Sequence, residues 1–282
     1  MPITVESNNY GKSDVSFLLV NDSRAGSEVR DISAEVRFEG EFDSVFSRGD
    51  NSALLPTRSM VNTVYALAQQ NMPDEIETFA VILAERFLLA CPAAMVVQIK
   101  LTETPWTRLA GKNGPSPHCF AAAGSERYTA TVHAVRGLEP SITSGLTGLR
   151  LLMASGASFT GFIRDEYTTM PEVNNRPMSL SLNLDWTYRE PPESYAGCRA
   201  RLRDAMVDSF ERHISVSGQQ SQYVLSEAAL QACPEVSEIQ FVFDSRTRLE
   251  LTPDNYGGNG TGRIFAPESP SSLSDLKVSR GK

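Results

Sequence analysis

A chain of 282 residues, 41% hydrophobic and 21% charged, is long enough for one large domain or two smaller ones, each burying a core without a disulfide or metal staple. Its formal net charge of -8 excludes a general binder of nucleic acid or of anionic membranes, since those partners require a basic surface. Cys91, Cys119, Cys198 and Cys233 lie far apart with no Cys-x-x-Cys pair, so neither a zinc ribbon nor a disulfide framework is expected, and no metal site. No charged-then-apolar leader opens the chain, and no apolar run approaches the roughly 18 residues that span a bilayer. A soluble cytoplasmic protein is the expectation. The ending Ser-Arg-Gly-Lys is not a peroxisomal Ser-Lys-Leu address, which points to a bacterial-type cytosolic setting.

In chain order, an apolar stretch from Val15 to Val20 pairs across the polar turn 21–26 with a strand in which Ile32, Ala34, Val36 and Phe38 alternate with charged residues. A helix is predicted from Thr57 to Gln70, with Met60, Val64, Leu67 and Ala68 at helical spacing. A second helix begins at Pro73, has Asp74, Glu75 and Glu77 in its first turn, and buries Ile76, Phe79, Ala80, Leu83 and Phe87. Strands follow around Val97–Leu101 and Ala130–Ala134. The order then repeats: strands at Leu146–Met153 and Leu180–Tyr188, helices at Glu193–His213 and Gln220–Ala232, then strands at Ile239–Phe243 and Arg263–Ala266. Gly257–Gly262 reads as a flexible loop.

Two strand-strand-helix-helix-strand-strand units in tandem imply an α+β protein with two antiparallel sheets, each with its helices on one face. The units are predicted at residues 1–138 and 139–267, with a weakly ordered Ser/Pro-rich tail at 268–282. The repeat is one of pattern, without visible sequence similarity between the halves.

The stretch Phe159 to Arg176 (Phe-Thr-Gly-Phe-Ile-Arg-Asp-Glu-Tyr-Thr-Thr-Met-Pro-Glu-Val-Asn-Asn-Arg) is too particular for an ordinary loop. With Tyr10-Gly11-Lys12, Gly49-Asp50-Asn51-Ser52, Asn62-Thr63-Val64-Tyr65 and Trp106-Thr107-Arg108, it resembles the urate oxidase (uricase) family from Tyr10 to about Pro267. The resemblance implies the tunnelling fold, two such units per chain, and a homotetramer whose active sites are shared between subunits. It also implies a flat heterocyclic substrate oxidised by molecular oxygen with no cofactor.

In the family an aromatic ring stacks on the purine, an arginine forks onto one edge, and a glutamine amide pairs with the adjoining edge. Phe159, Arg176 and Gln219 fall on these positions, and their chemistry suits those roles: they offer a flat apolar plate, two parallel donors, and a donor beside an acceptor. Read alone, Phe159 is a core residue, Arg176 a surface ion-pair partner and Gln219 a helix-entry residue. Lys12 and Thr57 fall on the family's lysine–threonine proton relay, which works only if burial or neighbours bring the ammonium toward neutrality. Without the resemblance, Lys12 reads as a solvated turn lysine.

Several positions depart from the family. Ser217-Gly218-Gln219-Gln220-Ser221 has Gly218 where an apolar residue lines the site, and Gln220 is the alternative reader if the register slips by one. The family's oxygen-site asparagine becomes Ser245 and its relay histidine Thr247, and a hydroxyl cannot replace an imidazole as a base near neutrality. Arg58 stands where the family has Asp, either pairing with Asp244 or holding an anionic ligand. Val61 replaces a helix lysine. Of the three histidines, His118 matches the second of a family His-x-His pair whose first member is Ser116, while His133 and His213 read as structural.

The expectation is a uricase-like, cofactor-independent oxidase of purine metabolism, acting on urate or a related flat acidic heterocycle with altered substrate or chemistry. The alternative is a catalytically silent paralogue with a binding or structural role. A pterin-type tunnelling-fold enzyme ranks below both, since no metal-binding histidine set is present.

Overall fold

The computed structural model describes residues 3–24, 26–112, 114–251, 263–267 and 272–281; the side chains of Asn71, Arg246, Thr247 and Leu249 also lie outside the description. The loop expected at Gly257–Gly262 falls outside these residues. The chain divides into two compact units, Met1–Gly145 and Leu146–Lys282.

The first unit opens with β1 (Tyr10–Ser23) and β2 (Gly26–Gly40), paired antiparallel. Along β2 the alternation holds as predicted: Ile32, Ala34, Val36 and Phe38 are buried. A short helix α1 (Asp43–Arg48) and a 3-10 turn (Asn51–Ala53) lead into α2 (Thr57–Asn71) and α3 (Ile76–Ala90). Met72, held extended before Pro73, marks the end of α2. Helix α3 starts three residues later than Pro73, because Glu75 is itself extended (φ -107°, ψ 130°). Its stripe of Ile76, Phe79, Ala80, Leu83 and Phe87 is fully buried, and Phe87 meets Phe38 edge-to-face at 5.5 Å. Each such large apolar side chain contributes about 1.5–3 kcal/mol by leaving water.

Strands β3 (Ala94–Thr104) and β6 (Arg127–Val135) complete the order β1-β2-β3-β6. Between them, β4 (Trp106–Gly111) and β5 (Gly114–Ala122) form a separate two-stranded ribbon. The sequence did not announce this ribbon, because most of its side chains are exposed and no apolar alternation marks it.

The second unit is built from β7 (Ser141–Phe159, entering from the first unit), β8 (Val173–Tyr188), α4 (Tyr195–Arg212), α5 (Gly218–Ala232) and β9 (Val236–Leu251). Both helices are N-capped by serine: Ser194 Oγ accepts from the Gly197 amide at 3.0 Å and Ser217 Oγ from the Gln220 amide at 3.1 Å. Leu180, Leu182, Leu184 and Trp186 on β8 face Phe241 and Phe243 of β9 in one buried layer.

The end of this unit differs from expectation. The strand predicted at Arg263–Ala266 is a short β10 (Ile264–Pro267), paired among the described residues with the distal end of β9. The fourth strand is β11 (Ser272–Ser279), inside the tail expected to be weakly ordered, paired with β9 from Glu238 to Ser245. Half-buried Ser274, Leu276 and Val278 give it one packed face. Gln222 of α5 pins it: Nε2 donates to the carbonyl oxygens of Phe241 (3.3 Å) and Ser274 (3.2 Å), while Ser274 Oγ donates to Gln222 Oε1 at 2.7 Å.

The two units share one detail of construction. In the first, the second helix runs out through Leu88-Leu89-Ala90-Cys91-Pro92, and Arg136 just after β6 donates to the carbonyls of Leu88 (2.8 Å), Cys91 (3.0 Å) and Ala94 (2.8 Å). In the second, the helix ends Leu230-Gln231-Ala232-Cys233-Pro234, and Arg280 just after β11 donates to the carbonyls of Leu230, Cys233 (3.0 Å) and Val236 (2.8 Å). Each guanidinium satisfies carbonyls left open at a helix C-terminus, where a cation is favoured. A short stretch of sequence similarity therefore does link the halves.

Candidate active site

The candidate residues fall into two groups, one in each unit. In the first unit, Lys12 sits on β1 opposite Val36, at a bulge between Lys12 and Val15 where Asp14 takes the left-handed conformation (φ 56°). Gly11 is required beside it: a Cβ there would lie 2.0 Å from the Val36 carbonyl oxygen. Lys12 is exposed and borders a hollow of about 160 Å³ shared with Asn9, Ser13, Glu35 and Arg37.

Thr57 opens α2, preceded by Pro56, and both Thr57 and Arg58 are exposed. No hydrogen bond joins Lys12 to Thr57 among the described residues. Their supports are joined instead. The Tyr10 hydroxyl accepts from the Leu55 amide at 3.0 Å and donates to the Leu55 carbonyl at 3.3 Å, tying the strand that carries Lys12 to the segment that delivers Thr57. Burial pushes the Tyr10 phenol well above its ordinary range, so it stays a neutral donor. A second tie comes from Tyr65, whose hydroxyl donates to the Ser16 carbonyl at 3.3 Å.

In the second unit, Phe159 ends β7 and Arg176 lies on β8, both partly buried. The Arg176 guanidinium carbon is 5.8 Å from the centroid of the Phe159 ring, so the structure brings the predicted plate and fork together. Phe162 stacks on Phe159 at 5.0 Å with 12° between the planes, and Arg164 lies 4.9 Å over Phe162. The loop between the strands is locally braced: Thr168 Oγ1 donates to Asp165 Oδ1 at 2.6 Å and the Tyr167 amide to the same oxygen at 3.1 Å. These bonds hold the Asp165 carboxyl below its usual range. Ile163 and Tyr167 are left 93% and 80% exposed in the single chain.

The start of α5 is strapped to the end of β7. The Ser215 amide donates to the Gly156 carbonyl at 3.0 Å, and the Ser158 amide donates to the Ser215 carbonyl at 2.7 Å, one residue before Phe159. Beneath this strap, His213 Nε2 lies 3.0 Å from Ser221 Oγ, which lies 2.8 Å from Ser215 Oγ. Ser215 and Ser221 are fully buried, and burial lowers the His213 pKa. The sequence pattern marks His213 as structural but does not reveal its partner Ser221, which lies eight residues on in the first turn of α5. On the strapped turn Gln219 is exposed, whereas Gln220 is half-buried and its Oε1 is shielded with no hydrogen-bond partner among the described residues.

Two of the departures meet here. A Cβ at Gly218 would lie 3.2 Å from Phe243 Cε1 and 3.8 Å from Ser245 Oγ, so the missing side chain at 218 and the short one at 245 belong to one locality. Asp244, beside it on β9, has a shielded Oδ1 with no partner among the described residues. Thr247 pairs through its backbone with Met178, and its side chain lies outside the description.

A sequence profile described as Uricase matches residues 8–133 and 142–270. The chain belongs to the uricase family. Uricase from Arthrobacter globiformis is 25% identical over 279 residues, covering 99% of this chain and 90% of the relative. Uricase from Aspergillus flavus is 28% identical over 292 residues, covering 98% and 97%. The crystal structure of the Arthrobacter globiformis uricase superposes with a TM-score of 0.91 over 99% of this chain and 96% of its own. The predicted α+β tunnelling-type fold is therefore a uricase fold. Among the described residues no helix is long and apolar enough to cross a membrane.

Proposed function

We propose that this uricase-family chain is an oxidoreductase that binds a flat, acidic purine-like heterocycle, urate in the simplest case, and oxidises it with molecular oxygen without a cofactor. The observation that carries the reading is the Phe159–Arg176 pair, an apolar plate with a planar bidentate donor 5.8 Å from its centre. Phe159 stacks the ring, Arg176 holds one anionic edge, and Gln219 or Gln220 reads the next. Lys12 and Thr57 form the proton relay, with Arg58 close by as an anion partner. Within its own unit Lys12 is exposed, whereas a relay lysine needs a buried setting. The burial that the relay needs then has to come from another surface, which supports a homotetramer whose active sites are shared between subunits.

A second reading has a specific motive. Ser245 and Thr247 stand where the family has an asparagine and a histidine, and removing a general base costs on the order of 100- to 10,000-fold. The chain is then a paralogue that keeps ligand affinity without turnover, or that turns over a substrate other than urate. Purified protein in air, with loss of urate absorbance and oxygen uptake followed together, separates the two. Concerted loss that disappears in Lys12→Met supports oxidation. No turnover with a urate-induced rise in Tm supports the binding paralogue, and neither response rejects urate as ligand.

A further inference from the structure

We propose that Cys198 and Cys233 are an oxidative modification site, a dithiol that a hydroperoxide converts to a disulfide joining α4 to α5. Their sulfurs lie 3.1 Å apart, with Cys198 Sγ donating to Cys233 Sγ, and both residues are fully buried. Cys198 lies in the first turn of α4 and Cys233 is the residue that ends α5. The pair thus links the start of α4 to the end of α5.

The surroundings make the thiols unequal. Arg201, one turn along α4, bonds the Glu235 carboxylate at 2.7 Å and bears on Cys233. The hydrogen bond from Cys198, then the Arg201 cation, bring the Cys233 pKa down to about 7, while the same bond and burial push the Cys198 thiol up. Cys233 Sγ also lies 3.2 Å from the Cys198 carbonyl oxygen, to which its thiol donates, and of the two sulfurs it is the one more readily deprotonated, with Cys198 as the resolving thiol. The Cys233 thiolate attacks one oxygen of the peroxide, the O–O bond breaks, and a sulfenic acid forms with loss of hydroxide. Cys198 Sγ then attacks the sulfenic sulfur, the S–O bond breaks, the S–S bond forms, and the thiol proton leaves with the hydroxide as water. With hydrogen peroxide, two thiols lose two electrons and the peroxide becomes two waters.

The first unit supplies an internal contrast. Cys91 occupies the place of Cys233 in the repeated Ala-Cys-Pro segment, yet its sulfur lies near the Ala53 carbonyl (3.6 Å) and the Tyr10 hydroxyl (3.9 Å), with no thiol beside it among the described residues. A metal reading of Cys198, Cys233 and Glu235, whose donor atoms lie within 4.8 Å of one another, is opposed by the Arg201 cation already seated on Glu235.

The test is intact mass and non-reducing peptide mapping of the full chain, reduced and then exposed to hydrogen peroxide, beside Cys198→Ser, Cys233→Ser and, as the exposed-thiol control, Cys119→Ser. Expected is the loss of two hydrogen masses and a peptide linking Cys198 to Cys233, reversed by dithiothreitol, in the unaltered chain and in Cys119→Ser but in neither of the other variants. The map on the unaltered chain stands even if a variant misfolds. Oxygen addition at Cys233 without the link, a link elsewhere, no change under conditions that oxidise Cys119, or a stoichiometric metal held by the pair as purified would each overturn it.

Discussion

The Tyr10 hydroxyl closes a two-way hydrogen bond on Leu55, accepting from its amide at 3.0 Å and donating to its carbonyl at 3.3 Å. A phenol bound in this way acts as a clip between β1 and the entry to α2. Tyr10→Phe leaves both Leu55 groups without this partner and should cost about 1–3 kcal/mol in urea unfolding. Because the clip positions Thr57 relative to Lys12, turnover should fall further than affinity for urate. An equal change in both would show that the clip serves stability alone.

Phe159 and Arg176 make the clearest pair of binding predictions. Charge-assisted bonds of this kind are worth about 1.5–3 kcal/mol, so Arg176→Ala should weaken urate binding at least tenfold. Arg176→Lys should recover little, since a point ammonium cannot form the fork. Phe159→Ala should lose comparable affinity through lost stacking. Titration calorimetry reads all three, and unchanged affinity in Phe159→Ala and Arg176→Ala would remove the assigned site.

Restoring the two altered positions should separate the competing readings. Ser245→Asn with Thr247→His is expected to raise urate turnover on the order of 100-fold. A folded double variant that binds urate but is no faster would mean that these substitutions are not what limits the chemistry. Gly218→Val should instead destabilise, because its side chain meets Phe243 at 3.2 Å and needs that ring to move.

His213 gives a pH prediction. Burial lowers its pKa in the folded chain from the ordinary 6.5, so the unfolded chain takes up the proton first as pH falls. Stability is therefore full above about 6.5 and declines below it toward the folded value. Thermal melts of His213→Gln should lack that part of the acid slope while keeping a hydrogen-bonding group near Ser221. A slope identical to the parent's would show that His213 does not titrate in this window.

Much of the fold was legible because burial leaves a period. The β2 alternation, the α3 stripe and the run from Leu180 to Tyr188 each put a whole face into the core, and each appears where its period places it. Elements that hide little surface left no such trace, hence the missed β4–β5 ribbon and the missed β11, whose serines are held by Gln222 and by the β9 backbone. In the candidate site, Phe159 and Arg176 are nominated by a motif, and their proximity is a tertiary fact that spacing alone could not supply. The His213–Ser221–Ser215 chain was not legible, because hydroxyl contacts carry no sequence period.

The matched Arg136 and Arg280 clamps, each closing a helix that runs out through Ala-Cys-Pro, build the same helix ending twice in one chain. Lys12 and Thr57 belong to the first unit, Phe159 and Arg176 to the second, and among the described residues Cys233 has a thiol neighbour where Cys91 has none. Losing either arginine would leave three carbonyls at a helix ending without their guanidinium partner, so each half of the chain depends on a single side chain for the same closure.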